Sequence, residues 1–300
     1  MKEHNERLAL ARETLEGLSV GDAVGEALSY GHHNARKSCD FSSFREGTLP
    51  YTDDTEMAIA VYETLSVTQR VKPDTLAMAF SIRFQRDPGR GYGKMTRRIL
   101  AQIGKGEHWE TLSKGSFSGG SFGNGAAMRV GPLGAYFADN IESIPGSATN
   151  SAKVTHYHPE GIAGAVAVAV ACGAAVQVRG REGEEVGNHI WQAVMDHTPD
   201  GKVKLGLELA KSLQGATADE AAKKLGNGTE ISAPDTVPFC VWNACRCIGD
   251  FKEAIISTVE VGGDCDTNAA IVGGIVASYC GVESLPESWM KVREKLDIRL

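Results

Sequence analysis

Two acidic segments, far apart in the chain, each stand at the head of an apolar run of helical length. Val261-Gly-Gly-Asp-Cys-Asp-Thr267 opens a run from Ala269 to Tyr279, and Thr52-Asp-Asp-Thr55 opens another from Met57 to Leu65. In a non-helical turn Asp264 and Asp266 can aim oxygens at one point with the Thr267 hydroxyl beside them. Thr52, Asp53 and Asp54 offer the same groups again. Gly262 and Gly263 allow unusual backbone angles and the close approach of a ligand. Thr and Asp are also ordinary N-cap residues, and acids in a first turn suit the helix dipole. A cap does not call for paired carboxylates and a Gly-Gly as well. The two halves therefore point to one oxygen-only cation site of the kind that suits magnesium or manganese. Any fold that builds it must bring residues 52–55 against residues 262–267.

The rest of the chain narrows the folds that can do so. No stretch alternates apolar and polar residues as a half-buried strand does, whereas helical spacing recurs throughout. Leu8, Ala11, Leu15 and Leu18 share one helical face, and the glycines of Gly21-Asp-Ala-Val-Gly25 predict that this first helix ends before Gly21. A polar loop with His32 and His33 follows. Pro73 opens a helix with Ala77, Phe80 and Phe84 on one face, Asp87-Pro88 stops it, and Met95 to Ile103 forms another. Thr217 with Glu220 and Asp250 with Glu253 have the form of capping boxes. Neither an internal linker nor a repeat is evident. The expectation is an all-α protein, residues 1–300 forming a single domain.

Composition excludes several alternatives. Hydrophobic residues make up 42% and charged residues 23%, which fits a folded globular chain. A net charge of -7 argues against nonspecific nucleic-acid binding. Gly161 to Val178 is the one stretch that suggests a membrane span, but its Ala, Gly and Val content reads better as a tightly packed buried helix. Residues 1–12 alternate charges and lack the apolar centre of a signal peptide. Seven cysteines, an odd count, point to reduced thiols and a cytoplasmic location. Cys240, Cys245 and Cys247 do not have a zinc spacing and read as buried helix residues.

Between Gly115 and Gly125 the chain reads GSFSGGSFGNG, with five glycines. Two phenylalanines and an immediate lead into Ala126-Ala-Met-Arg-Val130, an expected helix start, argue against a flexible linker. Such a loop can cradle a phosphate or diphosphate with its backbone N–H groups, assisted by the helix dipole. Thr155-His156 precedes the small-residue helix, and a histidine there can equally cap or pack.

Taken together, Gly21-Asp-Ala-Val-Gly25, Thr52-Asp-Asp-Thr55, Gly123-Asn-Gly-Ala-Ala-Met-Arg129, Thr155-His156 and Gly262-Gly-Asp-Cys-Asp-Thr267 resemble the ADP-ribosylglycohydrolase family, in order and over almost the whole chain. The resemblance implies an orthogonal multi-helix domain with a two-magnesium centre that cleaves the bond between ADP-ribose and an acceptor, either an ADP-ribosylated protein or a small ADP-ribosyl molecule. Nucleic acid would enter only as a modified substrate. Thr52, Asp53, Asp54, Asp264, Asp266 and Thr267 would be the metal ligands. Ser121, Phe122, Gly123 and Asn124 would line the diphosphate and ribose path, with Phe122 available to stack on adenine, and His156 would contact the substrate. Many family members carry a Glu eight residues after the Gly of the Gly-Asp motif, where this chain has Ser29. Glu26, one helical turn earlier, is the candidate replacement.

The residues fit that chemistry in their own right. Breaking a ribose glycosidic bond passes through an oxocarbenium-like state, in which a metal pair can grip the ribose hydroxyls and polarise a water. General-base duty falls to Asp54 or Asp266. A metal-dependent phosphohydrolase and a non-catalytic ADP-ribose-binding protein are the alternative readings.

Overall fold

The computed structural model describes residues 2–29, 34–41 and 45–299. Among these the chain forms sixteen α-helices. In order they are α1 His4–Leu28, α2 Ala35–Ser38, α3 Asp53–Thr68, α4 Pro73–Arg86, α5 Lys94–Ile103, α6 Trp109–Lys114, α7 Gly131–Tyr136 and α8 Ile144–Lys153. There follow α9 Pro159–Gln177, α10 Glu184–His197, α11 Lys202–Ser212, α12 Ala218–Leu225, α13 Ala233–Arg246, α14 Phe251–Glu260, α15 Cys265–Cys280 and α16 Glu287–Val292. The described residues contain no sheet, only isolated bridges pairing Leu49 with Arg293 and Gly123 with Ser232. The all-α expectation holds. His32 and His33 lie outside the described residues.

Two helices made of small residues form the centre. In α9 the run from Ala163 to Val176 is buried throughout, and its neighbours are α7, α8, α10, α13 and α15. By length and composition α9 could cross a membrane, but 83% of its most apolar window is buried inside the fold. The second central helix, α15, is covered on one side by α1, its most extensive partner.

The first helix does not end before Gly21. It runs unbroken to Leu28, because Gly17, Gly21 and Gly25 form a stripe pressed against α15. A Cβ at Gly21 would fall 2.1 Å from the Ala269 carbonyl oxygen, and one at Gly25 would fall 2.5 Å from that of Cys265. Tertiary contact here outweighs the poor helix propensity of glycine, which costs only about 1 kcal/mol per residue. The consequence reaches the acidic segments: the tight crossing carries Asp22, on α1, to the start of α15.

The cysteines are free thiols, with Cys240 and Cys245 inside α13 and Cys247 just beyond it. Thr217 and Glu220 form the reciprocal capping box, and the Asp250 side chain accepts from the Glu253 N–H at 2.9 Å.

Candidate active site

The start of α3 is organised by a residue of α1. Asp22 is fully buried, and its carboxylate accepts from the Thr52 N–H at 2.9 Å, the Thr55 N–H at 3.1 Å and the Thr55 hydroxyl at 2.5 Å. Thr52 occupies the N-cap position in extended conformation, and its hydroxyl accepts from the Asp54 N–H at 3.3 Å. With the orphan amides of the helix start served by the Arg90 carbonyl, Thr52 and Asp22, the carboxylates of Asp53 and Asp54 are surplus to capping. One oxygen of Asp54 accepts from the Thr52 hydroxyl at 3.0 Å; the other, Oδ1, is buried with no hydrogen-bond partner among the described residues.

At the start of α15 both glycines are needed. Gly262 and Gly263 have φ of 70° and 80°, in the left-handed region where a side chain is strained. A Cβ at Gly263 would fall 2.0 Å from the Asn227 carbonyl oxygen. That oxygen accepts from the Asp264 N–H at 3.2 Å and from Asn268 Nδ2 at 2.6 Å, which locks the turn. Asp264 sits at the N-cap position, yet its side chain makes no capping bond; it accepts instead from Asn124 Nδ2 at 2.6 Å. The turn therefore aims the carboxylate away from the helix amides and toward the glycine-rich loop.

The halves meet. One oxygen each from Asp22, Asp54 and Asp266 can be chosen so that all three lie within 4.8 Å of one another. Among the described residues no Lys, Arg or His forms an ion pair with Asp22, Asp53, Asp54, Asp264 or Asp266. Burial, and after it the charge of Asp266, pushes Asp22 and Asp264 up to about 7. Burial and then the charge of Asp22 raise Asp53 and Asp54 well above the usual carboxylate range. Asp22 is the site residue that sequence reasoning missed. Its signal was an acid between two glycines in an otherwise small and apolar stretch, with no basic residue alongside.

A cleft of about 430 Å³ opens beside the cluster. Asp53, Asp54, Asp264, Asp266 and Thr267 line one end, while Ser121, Gly123, Asn124 and His156 line the wall. Asn124 is buried and ties the wall to the acidic end through Asp264 and to α13 through Thr236, at 3.1 Å. Phe122 lies outside the cleft: it is half exposed and packs on the His158 ring at 5.2 Å. The apolar residues lining the cleft include Phe117 and Ile231, both largely exposed and both at φ near 50°, a strained conformation for large side chains.

No long helix follows the glycine loop. Asn124–Ala126 is a single 3-10 turn, and the next helix, α7, begins at Gly131 and has only six residues. Pro132 lies in the first turn of α7, where its missing N–H costs no helix bond. The expected dipole assistance at the loop is therefore absent, and the loop is held instead by the Asn124 side chain and by backbone bonds, among them the Ala233 N–H to the Phe122 carbonyl at 2.9 Å and the His158 N–H to the Ser121 carbonyl at 3.3 Å.

A family model described as ADP-ribosylglycohydrolase matches residues 3–299. The chain belongs to the ADP-ribosylglycohydrolase family. It is 29% identical to ADP-ribosylhydrolase ARH3 of Xenopus tropicalis, over 93% of this chain and 89% of that protein. It is 25% identical to ADP-ribosyl-[dinitrogen reductase] glycohydrolase of Rhodospirillum rubrum, over 95% and 89%. A solved ADP-ribosylglycohydrolase-related protein complex shares the fold, with a TM-score of 0.64 at 22% identity, over 97% of this chain and 94% of that one.

In this ADP-ribosylglycohydrolase the acidic cluster has a second approach. A cavity of about 460 Å³ is lined by Glu26, Tyr51, Thr52, Arg90, Gly91 and Asp266, so Asp266 and Gly91 border both openings. Glu26 projects from the continued helix one turn beyond Asp22. Burial, then the charge of Asp266, raises its pKa.

Proposed function

We propose that the protein is a magnesium-dependent hydrolase of the glycosidic bond between ADP-ribose and an acceptor carried by a protein or a small molecule. The observation that carries this reading is the convergence of carboxylates from α1, α3 and α15, those of Asp22 and Asp54 buried and that of Asp266 half-buried, with no ion-pair partner among the described residues. The donor set fits the metal. It is oxygen-only, as magnesium and manganese favour, and Asp54 Oδ1 lacks a partner among the described residues although a buried carboxylate oxygen is costly to leave unpaired. Thr52, Asp53, Asp54, Asp264, Asp266 and Thr267, with Asp22 added, would hold two Mg²⁺ ions, for which Mn²⁺ can substitute. When bound, the metals supply Lewis-acid polarisation of a water and a grip on ribose hydroxyls.

The chain's own groups then divide the remaining work. Asp54 is immobilised by Thr52, which suits a ligand. Asp266 borders both openings, which suits it to take the proton of the attacking water as that water's oxygen bonds to the anomeric carbon and the acceptor departs with the electron pair of the broken glycosidic bond. Ser121, Gly123, Asn124 and His156 receive the diphosphate and ribose, and the apolar Phe117 and Ile231 border the cleft where a base can rest. Glu26, in the second opening, faces the acceptor side. The seven free thiols support a reducing, cytoplasmic setting.

A panel of substrates ADP-ribosylated on arginine, serine, a nucleobase and a small metabolite, assayed with magnesium and with chelator, tests the reading. Free ADP-ribose released only with metal is the expected product. Inorganic phosphate in its place would assign a phosphohydrolase, and turnover in chelator would remove the metal from the mechanism.

A further inference from the structure

Directly beneath the wall of the cleft lies a buried cation that the chemistry above does not use. Arg129 is wholly inaccessible, and among the described residues no carboxylate pairs with it. Its guanidinium lies over the Phe80 ring at 4.5 Å and donates to the Ser151 carbonyl at 2.6 Å, the Gly125 carbonyl at 3.3 Å and the Thr155 hydroxyl at 2.9 Å. Burial lowers its pKa and only the more distant charge of Asp53 opposes this; a buried charge with no carboxylate in contact is costly, so a role beyond packing is expected of it. Part of that role is structural, because Ser151 belongs to the last turn of α8, whose carbonyls a cation suits.

The third bond leads toward the cleft. An arginine can only donate, so the Thr155 oxygen spends a lone pair on Arg129 and keeps its own proton free. That proton has an acceptor 2.7 Å away, His156 Nδ1. If Nδ1 accepts, the one proton of the neutral ring resides on Nε2. Burial and, after it, the charge of Arg129 hold His156 down at about 3, so the ring is neutral at physiological pH. Nε2 has no hydrogen-bond partner among the described residues. It is kept clear by the two glycines of Gly123-Asn-Gly125, since a Cβ at either position would come within 3.2 Å of it.

We infer that Arg129 and Thr155 are positioning residues that fix His156 in its Nε2–H tautomer and present that N–H to an anionic phosphate oxygen of the substrate. The ligand assignment rests on the ADP-ribosyl reading of the cleft; the tautomer does not. The relay makes the wall of the cleft a permanent donor, neutral in charge and therefore free of attraction for the neighbouring carboxylates.

The test uses the full-length ¹⁵N-labelled protein, with ring-nitrogen correlation spectra assigned by loss of signals in His156→Gln, together with ADP-ribose titrations. The wild type should show the Nε2–H tautomer. Thr155→Val leaves the Arg129 bonds to Ser151 and Gly125 in place and removes only the relay. It should admit the Nδ1–H tautomer and weaken ADP-ribose binding about tenfold, the scale of one neutral hydrogen bond. Thr155→Ser should restore both readings. A wild-type ring protonated on Nδ1, or Thr155→Val with unchanged tautomer and affinity, would overturn the inference. If ADP-ribose does not bind the wild type at all, the ligand assignment falls while the spectra still decide the relay.

Discussion

Helix α3 carries two kinds of buried acid within one turn. Glu56 is buried beside an equally buried Arg83, with Arg83 Nε donating at 2.7 Å, and the same guanidinium reaches Glu63 at 3.0 Å and the Asp297 carbonyl at 2.9 Å. Asp54, two residues earlier, is as deeply buried and among the described residues has only the neutral groups of Thr52 as hydrogen-bond partners to its side chain. Glu56 has its counterion within the chain, as Glu16 also does with Arg293. Acids at the cleft do not, and their charge is left for something from outside the chain to neutralise.

Neutralising each acid in turn should separate the two roles with the largest effects. Asp54→Asn should lower kcat/KM by about a hundredfold or more, as expected when a reacting-centre carboxylate is lost. In chelator the variant should melt no lower than the wild type, because the amide replaces an anion that the fold leaves unpaired. Glu56→Gln should do the reverse, costing roughly 3 kcal/mol in urea denaturation by leaving Arg83 partly unpaired, with near-normal turnover per folded molecule. Equal destabilisation by both substitutions would erase the distinction.

The pH dependence of stability sharpens it further. Asp22 and Asp264 titrate near 7 in the metal-free fold, against an ordinary value of 3.8. Such groups keep their protons in the fold where the unfolded chain has released them. They favour folding fully below about pH 4 and lose that contribution as pH rises through 7. His156, held at about 3 against an ordinary 6.5, acts with the opposite sign, contributing stability above 6.5 that is lost as pH falls toward 3. It does so with or without metal. The difference in Tm between magnesium and chelator therefore isolates the carboxylates, and it should grow from about pH 5 to about pH 7.5 as protons cease to compete with the ion. A difference independent of pH would place the ion elsewhere.

The same contrast explains what could be read from the chain. The Thr52 and Gly262 segments were legible because capping alone leaves their carboxylates unexplained, and the helices were legible from periodicity and caps. Asp22 was not, because Gly21 and Gly25 look like helix breakers until α15 is seen packed against them. The position of Phe122 was equally hidden: which of two phenylalanines faces the cleft depends on left-handed residues at 117 and 118 and on the bridge from Gly123 to Ser232. Loop geometry of that kind comes from contacts distant in sequence. Arg129 was quoted within a motif, but its burial without a counterion is visible only in three dimensions.

Glu26 belongs to neither class of acid, and its substitution should have the smallest effect. Because α1 continues to Leu28, Glu26 lies four residues after Asp22 and on the same helical face, one turn nearer solvent. The Ser29 hydroxyl turns back to the Glu26 carbonyl at 2.8 Å, so position 29 supplies no carboxylate to the cluster. Glu26 is exposed, and its carboxylate acts across the second opening on Asp266, whose charge it feels. A group in contact with water is screened, so its electrostatic contribution is modest. Glu26→Gln, which preserves size and removes the charge, should reduce kcat about tenfold, equivalent to roughly 1.4 kcal/mol of barrier, while leaving the magnesium affinity close to that of the wild type. A loss as large as that of Asp54→Asn, with metal binding weakened in parallel, would place Glu26 among the ligands. Unchanged kcat would show that the acceptor side of the site works with Asp266 alone.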